Sequence, residues 1–165
     1  MVGPTNRRLK YRRELSGLYL PSYDILCDSL PEQWQPYSGN RSFFEQGELY
    51  LKGRKVKGPG VTEALPLGRT VTDAKPGESP HNYGCATDWT LWDGPTPIWL
   101  PHGDAQWVPY FNACKKANLA LGAEFFRRDN FHNELKLTLS WRVVKSVYDD
   151  HEMSGAMRFI ERNLV

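Results

Sequence analysis

From Gly84 to Trp92 the side chains alternate with a period of two, placing Ala86, Asp88, Thr90 and Trp92 on one face and Cys85, Thr87, Trp89 and Leu91 on the other. That period predicts a strand. A helical period appears at 43–52, with Phe43, Leu49 and Tyr50 apolar and Glu45, Gln46 and Glu48 expected in solvent. At 108–121 the spacing of Val108, Phe111, Cys114, Ala117 and Leu121 predicts an amphipathic helix ending at Gly122. Residues 135–143 read as a strand with Leu135, Leu137 and Leu139 on one side, and 147–164 as a terminal helix burying Met153, Met157, Ile160 and Leu164. At the other end, Thr5 or Asn6 is placed to cap a helix running toward Leu15, and Pro21 forbids one unbroken helix through Leu26. Residues 31–42 read as a turn-rich connection, 53–78 as a wrapping loop, 93–97 as a turn and 99–107 as an irregular aromatic segment. Helices mixed with a few short strands predict an α+β fold, a small antiparallel sheet with helices packed on it.

Composition narrows this picture. A chain of 165 residues is one domain's worth, 1–165, and 40% apolar with 24% charged residues is ordinary globular usage. A net charge of +2 gives no reason to expect nucleic acid. Neither a P-loop nor a dinucleotide fingerprint is present, so nucleotide binding is set aside. Three cysteines without a Cys-x-x-Cys pair indicate reduced thiols in a chain folded in the cytoplasm, with Cys85 a buried structural thiol. No secretory signal and no transmembrane-length apolar run is seen, and nothing suggests a coiled coil, so a monomer is expected. The basic segment 1–15, with Arg7, Arg8, Lys10, Arg12 and Arg13, is read as a solvated helix face in preference to an envelope-docking patch.

The candidate chemistry lies around the predicted strand. His81, in a turn made by Pro80, Asn82 and Gly84, and Asp88, beside small Ala86, offer two ligand types that zinc accepts. A catalytic site needs a third, and His132, three residues after Asp129, supplies it. The plain alternative is a surface His/Asp pair. His102 and Asp104 form a competing pair in the aromatic segment, and Glu124 is a rival acid to Asp129. Arg41, just ahead of the 43–52 helix, suits a carboxylate or phosphate clamp or a surface charge; Arg54 and Arg69 are further candidates for substrate carboxylates.

Ser79, His81, Gly84, Ala86 and Asp88 reproduce a Ser-x-His-x-x-Gly-x-Ala-x-Asp signature, and in this the chain resembles the VanY-like zinc peptidases. That family includes D-alanyl-D-alanine carboxypeptidases and L-alanyl-D-glutamate endopeptidases used as phage endolysins, and the wording here is closest to the latter. The likeness extends from Ser38-Gly39-Asn40-Arg41-Ser42, Glu45 and Gln46, through Leu49, Tyr50, Gly53, Arg54, Val71 and Thr72, to Asp129 and His132, covering roughly residues 25–135. Phe131 stands where the family has proline and Asn133 where it has phenylalanine, while Glu134 keeps the acid. The resemblance implies a Hedgehog/D-Ala-D-Ala peptidase-like fold and one Zn2+ held by His81, Asp88 and His132. It further implies Asp129 as general base, Arg41 on the scissile carbonyl and Ser79 orienting a ligand from behind. The expected partner is bacterial peptidoglycan, reached from the host cytoplasm through a pore formed by another protein and without a separate wall-binding domain. The alternatives are a D-alanyl-D-alanine carboxypeptidase or a non-catalytic wall-binding module with a structural metal.

Overall fold

The computed structural model describes residues 4–53 and 70–165, with side chains from Arg7 onward. Arg54, Arg69 and the turns expected at 58–60 lie outside the described residues. In chain order the elements are α1 (Pro4–Arg12), α2 (Leu20–Ser29), β1 (Trp34–Ser38), α3 (Phe43–Leu51), β2 (Ala86–Asp93), β3 (Thr96–Ile98), α4 (Trp107–Lys116), β4 (Leu119–Leu121), β5 (His132–Leu135) and α5 (Trp141–Arg162). Short 3-10 turns occupy Pro80–Tyr83 and Gly122–Glu124.

The strands form one antiparallel sheet in the order β1-β2-β5-β4, and the hairpin partner β3 continues the β5 side of β2. With helices α1 to α5 around it, this is the α+β arrangement that the mixed periods predict. The alternation along β2 is realised. Cys85, Trp89 and Leu91 pack into the apolar core with Tyr23 and Leu26 of α2 and Tyr110 and Cys114 of α4. The Trp89 ring lies 5.7 Å from that of Tyr23, and Trp34 of β1 stacks on Tyr110 at 5.3 Å. The opposite face of β2 carries Asp88.

Register decides what lies beneath that carboxylate. Asp88 pairs with His132 and the neighbouring Thr87 pairs with Asn133, so one step along both strands moves from one face of the sheet to the other. On the core face the Asn133 amide donates to the Thr87 carbonyl at 3.1 Å and to the Tyr110 hydroxyl at 2.7 Å. The hydroxyl of Tyr19 donates to Asn133 Oδ1. Burial holds the Tyr19 and Tyr110 phenols well above their usual range, so both keep their protons. Asn133 is thus the hub of a satisfied polar network.

Several elements differ from their sequence reading, each for a physical reason. Residues 31–42 contain β1, disguised by Pro36; on an edge strand a missing N–H costs no ladder bond, and the register shifts between Pro36 and Ser38. The helix expected to reach residue 121 ends at Lys116, where Asn118 turns left-handed at φ 54° and frees Leu119–Leu121 to pair with β5. Its buried residues are Trp107, Tyr110, Ala113 and Cys114, with Val108 in solvent. The strand placed at 135–143 is instead His132–Leu135; Leu137 makes only an isolated bridge to Leu164, and Leu139 is exposed. The terminal helix begins at Trp141, earlier than 147, and is interrupted at Glu152 with φ 57°. That break defeats a single helical stripe: Trp141, Val144, Ala156 and Ile160 are buried, while Met153 and Leu164 are exposed. Gln46, expected in solvent, is fully buried. Helix α1 starts at Pro4, so neither Thr5 nor Asn6 is its cap.

The basic N-terminal segment is not simply a solvated face. The Arg8 guanidinium donates to the carbonyls of Cys27, Leu30, Pro31 and Trp34, Arg7 lies 3.6 Å over the Trp92 ring, and Arg12 forms a two-pronged bond to Asp24. Arginine's rigid fork suits such multiple acceptance. Arg8→Met is expected to destabilise the fold by about 3 kcal/mol in a urea titration, because charge-assisted bonds to the chain between α2 and β1 are lost together.

Candidate metal centre

The turn before β2 is built to aim His81. Pro80 starts the 3-10 turn and Gly84 ends it in the left-handed region at φ 64°. A Cβ at Gly84 would come within 2.7 Å of the Ser16 amide nitrogen, so only glycine suits this position. His81 Nδ1 bonds the Gly39 carbonyl at 2.7 Å, which puts a proton on Nδ1 and turns Nε2 toward Asp88. His132, at the start of β5, is fixed from behind in the same way: its Nε2 bonds Glu134 Oε2 at 2.8 Å. Trp141 Nε1 holds the other Glu134 oxygen at 2.9 Å.

Three atoms then meet. Asp88 Oδ1 lies 3.3 Å from His81 Nε2 and 3.1 Å from His132 Nδ1, and the two ring nitrogens are 3.2 Å apart. All three residues are buried. A tetrahedral ion with bonds of about 2.0–2.1 Å keeps its ligand atoms about 3.3–3.4 Å apart, so the triangle matches that demand. The electrostatics agree. Although burial opposes ionisation, His81 and His132 hold the Asp88 carboxyl far below the usual carboxylate range. Against the same desolvation, Asp88 and Glu134 raise His132 to about 10. The cluster demands positive charge, either a proton on His132 or a metal cation.

Asp129 and Arg41 flank the triangle. Asp129 is held by its backbone, its N–H donating to the Gly122 carbonyl at 3.0 Å and its carbonyl accepting from the His132 N–H at 3.1 Å. Gly122 permits this, since a Cβ there would lie 2.2 Å from the Asp129 carbonyl oxygen and 2.9 Å from His132 Cβ. The side-chain oxygen Asp129 Oδ1 is buried with no hydrogen-bond partner among the described residues. Burial, followed by the nearby Asp88 charge, pushes its carboxyl up to about 6. Arg41 places Nη2 3.7 Å from Asp88 Oδ2 and donates to Gln46 Oε1 at 2.8 Å and to Ser38 Oγ at 3.2 Å. The burial of Gln46 therefore serves to hold that guanidinium.

The other candidates lie elsewhere. His102 is exposed, and neither it nor Asp104 joins a metal-competent group among the described residues. Glu124 is exposed and pairs with Lys115 at 4.0 Å. Cys85 is fully buried, with its thiol pushed up to about 12 by burial, a protonated core side chain. Ser79 is buried, but no hydrogen bond joins its hydroxyl to the three converging residues; the orienting acceptors are Gly39 and Glu134. Sequence reading noted Glu134 only as a retained acid and gave Gly39 no role of its own. The signal for Glu134 was its place two residues after His132, hence on the same strand face, whereas a backbone carbonyl such as Gly39's leaves no signal. Glu134→Gln is expected to weaken metal binding about 10- to 100-fold in a chelator competition, as loss of an outer partner does.

Fold and site together define an α+β protein with a buried His/Asp/His group able to hold a metal ion. No family model matches the chain. Among curated proteins it is similar to the peptidoglycan L-alanyl-D-glutamate endopeptidase CwlK of Bacillus subtilis, with 36% identity over 106 residues, 59% of this chain. The chain spans 57% of the length of that relative. This likeness supports the resemblance drawn from the signature.

Proposed function

We propose that the protein is a zinc-dependent peptidoglycan peptidase that hydrolyses the L-alanyl-D-glutamate bond of stem peptides, acting as a phage endolysin on a Hedgehog/D-Ala-D-Ala peptidase-like fold. The observation that carries this reading is the triangle of His81 Nε2, Asp88 Oδ1 and His132 Nδ1, with distances of 3.1–3.3 Å, beside a buried carboxylate oxygen on Asp129 that has no hydrogen-bond partner among the described residues. Two imidazoles and one carboxylate are a donor set that suits zinc. Bound there, zinc would supply Lewis acidity for the scissile carbonyl and make water nucleophilic near neutral pH.

The remaining work falls to the chain's own groups. Asp129 takes the proton of the attacking water and returns it to the leaving amine. Arg41, steadied by Gln46 and Ser38, faces the charge that develops on the carbonyl oxygen. Gly39 and Glu134 hold the two imidazoles in the tautomers that point lone pairs inward. In the same reading the enzyme meets the wall after release through a pore formed by another protein.

Mass spectrometry of digested muropeptides tests the assignment. An L-alanyl-D-glutamate endopeptidase frees peptides that begin with D-glutamate. Products shorter only by a terminal D-alanine would instead mark a carboxypeptidase, and no change in the presence of zinc would contradict an enzyme of either kind.

A further inference from the structure

We propose that the half-exposed ring pair Tyr37 and Trp99, beside the metal centre, is a sugar-binding corner that takes the muramyl ring from which the stem peptide hangs, so that the enzyme reads glycan as well as peptide. This rests on the peptidase reading above. Tyr37 and Trp99 are 46% and 52% exposed, yet their ring centroids lie 4.7 Å apart at 76°. Single exposed aromatics are ordinary, whereas two in contact at the rim of a site mark a surface kept for a ligand.

The sheet brings the pair together on the face that carries Asp88. Trp92 shares that face of β2 and pairs with Pro97 on β3, and Trp99 is two residues further along. The Thr90 hydroxyl donates to the Ile98 carbonyl, which holds the chain entering Trp99 against β2. On the other side of β2, the register of β1 shifts between Pro36, opposite Trp89, and Ser38, opposite Asp88. Tyr37 is the extra residue of that irregularity, and a bulge re-aims a side chain. Its ring stacks on Trp92 at 6.3 Å, and its carbonyl accepts from the Tyr11 hydroxyl at 2.6 Å. Trp99 in turn meets Phe131, the residue before His132, at 5.7 Å. Both rings are therefore fixed from behind. Arg7, 3.6 Å over the Trp92 ring, closes the far end of this aromatic strip and leaves the pair nearest the centre open.

Size and place choose the ligand. Two side chains are far too small for a protein partner, which needs about 800 Å2 a side. Rings set near a right angle suit one pyranose, its C–H face laid on one ring and its edge against the other. Tyr37 also lines the cavity that reaches Asp88 and Arg41, so the corner is continuous with the centre. Thr90, fully buried between the two rings, is two positions from Asp88 within β2, a separation of about 7 Å. In a stem peptide the alanine on the acyl side of the cleaved bond is joined to the lactyl group of the sugar, and alanyl plus lactyl spans about 7 Å when extended. Sugar and corner thus fall at the same distance.

The test compares N-acetylmuramyl-L-Ala-D-Glu-L-Lys-D-Ala with the same peptide carrying only a D-lactyl group, as substrates of the zinc-loaded protein. Wild type is expected to favour the sugar-bearing peptide about 5- to 10-fold in kcat/KM, the yield of covering roughly 50 Å2 of apolar surface. Because the contact is not ionic, the preference persists as salt rises. Trp99→Ala brings the ratio to about one, and Trp99→Phe, which keeps a ring, restores part of it. Trp99 is outside the buried core, so both variants fold, which melting curves verify. A wild-type ratio of one, a preference that fades with salt, or a ratio that survives Trp99→Ala with both rates lowered alike overturns the sugar corner and leaves the peptidase reading standing. Cleavage of neither peptide overturns both.

Discussion

Asp129→Asn is expected to lower muropeptide hydrolysis by about 10²- to 10⁴-fold while the protein still binds zinc with wild-type affinity. The range is what a positioned general base contributes, and retention of metal follows because Asp129 is outside the triangle of ligand atoms. Steady-state rates and metal content measured on one preparation check both halves. A second signature separates this residue from a structural acid. Its carboxyl is raised from 3.8 to about 6, chiefly by burial, so ionisation in the folded state works against folding. That penalty is full above about pH 6 and absent below about pH 4, where the group is protonated in both states. Metal-free Asp129→Asn should therefore melt above metal-free wild type at pH 8, with the gap closing as pH falls toward 4. An acid placed for stability would give the opposite sign.

Replacing Asp88 should have the other large effect. Asp88→Asn keeps the shape of the side chain but removes the charge that draws His81, His132 and Arg41 together at 3.1–3.7 Å. Metal affinity should fall by more than the about 10- to 100-fold that an outer partner is worth, and hydrolysis should drop to background at micromolar zinc. Chelator competition and activity on muropeptides read the two quantities. With its carboxylate partner gone, His132 also loses its largest stabilising contact as a cation, so the variant should release fewer protons when zinc binds.

These residues were legible in the sequence to different degrees. His81 and Asp88 announced themselves because a proline-glycine turn feeds a strand whose period-two pattern fixes which side each residue faces. His132 could be nominated by residue type and spacing, but only the pairing of β5 with β2 puts it opposite Asp88. The true start of β5 was hidden because its first residues, His132-Asn133-Glu134, are polar; they face a charged centre and a buried polar network instead of apolar core. Gln46 misled for the same reason, since a buried amide that holds Arg41 looks like a surface residue on a helical wheel. Arg8 was read as solvent-facing because no local pattern shows that the carbonyls following α2 await a donor. Long-range satisfaction of polar groups escapes a reading based on periodicity.

The most direct measurement is metal content by mass spectrometry on wild type and on Asp88→Asn, paired with muropeptide digestion before and after chelation and with zinc restored. One zinc per chain in wild type, little in the variant, and hydrolysis that vanishes with the chelator and returns with the ion are the predicted results. Full hydrolysis by a protein stripped of metal, or undiminished metal in Asp88→Asn, would contradict a centre built on His81, Asp88 and His132.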